Sequence, residues 1–70
     1  MWILGTVGDF RVCMKQYNKR SKWGINNGRI SKLEMRKDDV IVANYDRGWD
    51  IQPEGEDAQA ALASILEEFN

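Results

Sequence analysis

Seven consecutive residues, Asn44-Tyr45-Asp46-Arg47-Gly48-Trp49-Asp50, hold two carboxylates, one guanidinium and two aromatic rings. Arg47 is the only base between Asp38 and Asn70. A planar guanidinium forks onto a carboxylate or phosphate, and a ring beside it offers a wall for stacking. The run is therefore a candidate binding patch, with Arg47 as the donor and Tyr45 or Trp49 as the wall. Asp46 and Asp50 add acceptors for a cationic partner. The competing structural reading lets Asp46 or Asp50 fix Arg47 while the two rings pack in the core at a bulge. A carboxylate pair can move protons or hold Mg²⁺ weakly through water. Here no nucleophile or ligand cage accompanies the pair.

A second cluster lies upstream. Lys15, Lys19, Arg20 and Lys22 interleave with Tyr17 and Trp23. Cations with aromatic platforms suit single-stranded nucleic acid or nucleotides, and a solvated loop has the same composition. The sequence pI near 5.3 speaks against a dedicated nucleic-acid binder. It favours a small anion or a mixed protein surface.

Other chemistry is excluded by inventory. The chain has no His and one Cys, Cys13. Imidazole acid–base chemistry, an internal disulfide and a multi-thiolate zinc site are all ruled out. Ser21, Ser31 and Ser64 have no base partner to activate them. Gly24-Ile-Asn-Asn-Gly28 lacks the spacing and the following helix of a phosphate-cradling loop, so it reads as turn chemistry with Gly28 at positive φ. The expectation is a non-enzymatic protein with no catalytic residue, metal or cofactor. Cysteine usage suits a reducing cytosol. No apolar run is long enough for a membrane and no signal pattern opens the chain, so a cytoplasmic protein is expected.

The elements that must position these residues follow from periodicity. Trp2 to Val7 is β-branched and aromatic, a strand, and Gly8-Asp9 is a hairpin turn signal. Phe10 to Tyr17 alternates, with Phe10, Val12 and Met14 opposed to Arg11, Cys13 and Lys15. Residues 18–28 form a polar loop. Arg29 to Lys37 is a third strand, and Asp38-Asp39 turns the chain. Val40 to Tyr45 is apolar on both faces, which predicts a central or doubly covered strand. Gly48 breaks or bulges its continuation. Beyond Pro53, Ala58, Ala61, Leu62, Ile65, Leu66 and Phe69 recur at helical spacing, and Glu56 and Asp57 suit a helix start. The prediction is one α+β domain over residues 1–70, ββββα, a four-stranded antiparallel sheet with one C-terminal helix on one face. Trp2, Tyr17, Trp23, Tyr45 and Trp49 cannot all fit beneath that helix, so some must line the open face or an interface.

Charge is segregated along the chain. Arg11 to Lys37 holds nine bases and one acid, a net of +8. Asp38 to Asn70 holds one base and nine acids, a net of −8. The halves either neutralise each other on folding or form opposed basic and acidic faces, which would steer an anionic partner or let two copies meet head to tail. At 70 residues only about three-fifths of the chain's surface is buried on folding. A core this marginal, with exposed aromatics, makes a homodimer plausible.

Three segments together carry a resemblance: Gly5-Thr-Val-Gly-Asp-Phe10, Trp23-Gly-Ile-Asn-Asn-Gly-Arg-Ile-Ser-Lys-Leu33 and Ala43-Asn-Tyr-Asp-Arg-Gly-Trp-Asp-Ile51. Nearly the whole chain resembles a family of small domains of unknown function carried by phages, prophages and mobile elements of Gram-positive bacteria. The Asn-Tyr-Asp-Arg-Gly-Trp-Asp run is its most specific part. The resemblance implies a setting inside a bacterial host cell and no activity. By analogy of context, small phage proteins act by stoichiometric binding, as anti-CRISPR proteins and nucleotide-signal sponges do. The leading expectation is counter-defence, the blocking of a host protein or complex, with Asp38, Asp39, Asp46, Asp50, Glu67 and Glu68 mimicking phosphate. The alternative is sequestration of a small anionic or nucleotide ligand by Tyr45, Arg47 and Trp49. Single-stranded nucleic-acid binding through residues 15–23 ranks third.

Overall fold

Alternating side chains and two tight turns build most of the sheet. A computed structural model describes residues 1–70 as five strands followed by a helix: β1 (Trp2–Val7), β2 (Phe10–Gln16), β3 (Ile30–Lys37), β4 (Val40–Asp46), β5 (Trp49–Ile51) and α1 (Glu56–Phe69). The strands form one antiparallel meander in sequence order. Gly8, at φ 58°, turns β1 into β2. Asp38 and Asp39 both take left-handed angles, φ 51° and 64°, as a two-residue type I′ hairpin turn demands.

The sheet has five strands where four are expected from the sequence. Gly48 does not end the extended region. A three-residue turn, Asp46-Arg47-Gly48, reverses the chain, and Trp49 comes back opposite Tyr45. Of the two alternatives expected for Val40 to Tyr45, the central one holds, since β4 lies between β3 and β5, and the doubly covered one does not. Only one face of β4 is covered, and Val40 is exposed. One helix can cover only one side of a sheet, and the short β5 pairs only with the far end of β4.

The covered face gathers Phe10, Val12 and Met14 of β2, Leu33 and Met35 of β3, and Ala43 and Tyr45 of β4. Against them α1 sets the buried Ala58, Ala61 and Ile65, with Leu62, Leu66 and Phe69 half-buried beside them. Two alanines on that stripe let the helix approach closely. Glu56 and Asp57 occupy its first turn, where the dipole favours acids.

The far end of α1 is tied to the β2–β3 connection. The Gln16 side-chain amide donates to the Phe69 carbonyl at 2.7 Å. Asn70 caps the helix through its backbone N–H to Leu66. Its side chain accepts from the Ile30 N–H at 3.0 Å and donates to the Ile25 carbonyl at 2.9 Å. Gly28 is at φ −98°, so the expected positive φ is not there. The left-handed residues of this loop are Asn26 and Asn27. Gly28 is needed for space instead, because a Cβ there would collide with the Asn70 carboxamide.

Two substitutions test this brace. Asn70→Ala strands two part-buried backbone groups, a loss of about 1–3 kcal/mol. Gly28→Ala should cost a comparable amount in the native chain and much less in an Asn70→Ala background. Urea unfolding of the four-member cycle measures the coupling. Additive effects would show that the close approach is unimportant.

Candidate functional site

The meander sorts charge by end. The Gly8-Asp9 and Asp38-Asp39 turns lie at one end of the sheet, near the helix start at Glu54, Glu56 and Asp57. The β2–β3 loop and the Asp46–Gly48 turn lie at the other end, with Lys19, Arg20, Lys22, Arg29 and Arg47. The two halves of the sequence do not separate whole: Arg11, Arg36 and Lys37 lie toward the acidic turns, and the last turn of α1, with Glu67 and Glu68, is tied to the β2–β3 loop. Asp38 and Asp39 sit at the turn end, Asp46 and Asp50 near the basic end, and Glu67 and Glu68 on the last turn of α1. Those six acids do not form one continuous face.

On the open face of the sheet the register sets like charges side by side. Lys15 lies directly opposite Lys32, and Arg11 opposite Arg36. Such pairs are destabilising across strands. Arg36 is relieved by Glu34, at 3.1 and 3.4 Å through two nitrogens, and that pairing holds its pKa above the usual guanidinium value. The Lys15–Lys32 pair has only Asp46, 3.9 Å from Lys32.

At the basic end these lysines border a cavity of about 770 Å³. Five cationic side chains line it: Lys15, Lys19, Arg20, Lys32 and Arg47. Tyr17 and Trp23 are its aromatic residues, and Asn18, Ser21 and Ser31 supply neutral polar groups. No acid lines it; Asp46 stands beside it, 3.9 Å from both Lys32 and Arg47. The volume is ordinary for a small-molecule site, which spans about 300–1,000 Å³.

The loop that carries much of this lining is braced. Tyr17 N–H donates to the Arg29 carbonyl at 2.9 Å, and Arg29 Nε donates back to the Tyr17 carbonyl at 3.0 Å. Ser21 N–H reaches Gly28 at 3.1 Å, and the Ser21 hydroxyl accepts from Trp23 N–H at 3.2 Å. Ile25 anchors the loop from below, fully buried. Gly24 passes so close to the Gly28 carbonyl that a Cβ there would clash. Trp23 is held by its own carbonyl, which accepts from the Tyr45 hydroxyl at 2.9 Å.

Arg47 enters the cavity from the β4–β5 turn. It takes φ 57°, and its N–H donates to the Ser31 carbonyl at 3.1 Å. Its side chain is 68% exposed, with Asp46 at 3.9 Å as its ion-pair partner. That long contact leaves the fork of the guanidinium free for a ligand.

Tyr45 and Trp49 are not the walls of this cavity. Tyr45 is buried on the covered face and meets Trp49 edge to face, centroids 5.1 Å apart. The register sets Tyr45 opposite Leu33, on the helix side. The walls are Tyr17 and Trp23. Asp50 accepts a 3.4 Å bond from the Asn44 amide and does not line the cavity. Lys22 lies over the Trp23 ring, 4.9 Å from its centroid, at the loop surface.

Among the lining residues, Lys32 and Ser31 escaped the sequence reading. They lie more than a dozen residues from Lys15 and reach it only through strand pairing. Lys15 also sits 5.3 Å from the Tyr17 ring and 5.7 Å from the Trp2 ring. Its ammonium, close to the phenol, holds the Tyr17 pKa below the usual tyrosine value, and Ser31 and Lys32 act in the same direction.

No helix is long and apolar enough to cross a membrane. No curated protein and no solved structure matches the chain. A family profile described as a domain of unknown function, DUF7678, matches residues 1–70. With that match over its whole length, the chain belongs to the DUF7678 family.

Proposed function

We propose that this protein binds a phosphate-bearing ligand with a flat ring, a nucleotide, in the cavity between the β2–β3 loop and the β4–β5 turn, and that it acts by holding the ligand rather than transforming it. One observation carries this reading: five cations and two aromatic side chains surround a cavity whose lining contains no acid. Arg47 supplies a forked donor to phosphate oxygens. Lys15 and Lys32, opposed across two strands, lose their mutual repulsion when an anion lies between or over them. Trp23 and Tyr17 offer ring faces for a base. The phage or mobile-element setting implied by the resemblance would give such a binder a use. A host cell that signals with nucleotides can be silenced by a protein that sequesters them.

Isothermal titration against nucleoside mono-, di- and triphosphates, cyclic dinucleotides, short oligonucleotides and inorganic pyrophosphate tests this. A nucleotide should bind, more weakly as salt rises. Trp23→Ala should weaken it about 10- to 100-fold through lost stacking. Arg47→Ala should weaken it about 10-fold or more through a lost charge-assisted bond. Trp49→Phe, half-buried against the core and outside the cavity, should leave it unchanged. Affinity that climbs with oligonucleotide length would make single strands the ligand. Absence of binding by every phosphate compound at low salt sinks the proposal.

Tyr17 gives an independent readout. Its phenolate is stabilised by Lys15, so an ultraviolet titration should find it ionising below ordinary tyrosine, and Lys15→Met should move it upward. A bound phosphate brings negative charge near the phenolate and disfavours it. Ligand should therefore raise the Tyr17 pKa. A pKa unmoved at saturating ligand would put the bound phosphate elsewhere.

A further inference from the structure

The two edges of the sheet are unlike. β5 has three residues, includes Asp50 and runs toward Pro53, which are protections that edge strands commonly carry. β1 has none. Its six residues, Trp-Ile-Leu-Gly-Thr-Val, contain no charge and no proline. Its pairing with β2 runs from Trp2–Lys15 to Val7–Phe10 without a bulge. Trp2 is 56% exposed and Leu4 77%. A flat, apolar, unprotected edge strand is a template for another strand.

The hydrogen bonds show which groups face outward. Met1 and Gln16 exchange both bonds, each at 2.8 Å. Antiparallel pairs alternate between bonded and non-bonded, so Ile3, Gly5 and Val7 are spent on β2. Trp2, Leu4 and Thr6 then point their N–H and C=O groups away from the sheet.

Those three residues are self-complementary. A two-fold axis at Leu4 pairs Trp2 with the partner's Thr6, Leu4 with the partner's Leu4, and Thr6 with the partner's Trp2. Each pair exchanges two backbone bonds. In the same register Ile3 falls opposite the partner's Gly5, in a non-bonded pair where side chains come closest. Gly5 leaves room there, because a Cβ on it would meet nothing within 4 Å. The half-buried Ile3 side chain can fill that space. No like charges meet along the strand. The antiparallel arrangement also sets the basic end of each copy beside the acidic turns of the other.

We propose that β1 is the interface of a two-fold homodimer, in which two sheets join edge to edge through Trp2, Leu4 and Thr6. The arrangement leaves each cavity, which uses no β1 residue, free at opposite ends of the continuous sheet.

Sedimentation equilibrium of the full chain, from micromolar to millimolar, should approach twice the 8.1 kDa chain mass. Leu4→Lys puts two like charges on the axis at an exposed position. It should raise the dimer Kd at least about 100-fold. Gly5→Val occupies the space that the partner's Ile3 needs, without backbone strain, and should do the same should Leu4→Lys prove poorly folded. A wild-type chain that stays at monomer mass through the millimolar range overturns the proposal. So does a dimer that both variants leave intact.

Discussion

One carboxamide, at Asn70, joins the end of the helix to both sides of the loop that bears the cations. Its oxygen takes the Ile30 N–H and its nitrogen reaches the Ile25 carbonyl. Ile30 opens β3, and Ile25 is the buried anchor of the β2–β3 loop. A glycine at position 28 is what lets the amide come so near. Without this brace the segment from Tyr17 to Arg29 would be a long polar connection of the kind that stays mobile. With it, Trp23, Ser21 and Arg20 keep a fixed relation to the strand residues Lys15 and Lys32. Preformed placement matters for a ligand site, since ordering a loop on binding costs affinity.

The same helix sets the limits of the fold. Fourteen residues in α1 cover the Phe10–Val12–Met14 face and little else. The opposite face must then be wettable, and the sequence supplies Arg11, Lys15, Lys32, Glu34 and Arg36 for it. Toward the β1 edge that polarity runs out. Trp2 and Leu4 share the open face with those charges, and neither has a helix or a neighbouring strand to cover it.

Much of this was legible before the structure. The alternation of β2, the stripe Ala58 to Phe69, and the turns at Gly8 and Asp38 are local signals with a fixed period, and each lies where it was read. The fifth strand was missed because three residues give no periodicity. Its pairing depends on a three-residue turn whose left-handed residue is an arginine, not the glycine beside it. Of the two readings of Tyr45 and Trp49, the fold adopts the one that packs both rings against the core, and spacing alone does not choose between them. Val40 to Tyr45 is apolar on both faces as a string, so the parity that sends Tyr45 inward comes from its pairing with Leu33. Arg47 and the basic loop were both named from sequence. That they share one cavity, completed by Lys32, depends on strand order and could not come from spacing.

The acidic pI speaks against a dedicated nucleic-acid binder, and the fold shows why it does not speak against a site for a small anion. Coulomb interactions between exposed charges fade beyond a Debye length of about 8–10 Å at ordinary ionic strength. The domain extends 31 Å along its longest axis, so Asp9, Asp38 and Asp39 at one end contribute little to the field at the other. An approaching anion meets the local excess of Lys15, Lys19, Arg20, Lys32 and Arg47, offset nearby by Asp46. The distant acids have a different effect. They bring the formal net charge of the whole molecule to −1 without entering the lining of the cavity. A compact phosphate compound would meet that local excess of cations whole, which is the ground on which the proposed site is read as one for a nucleotide.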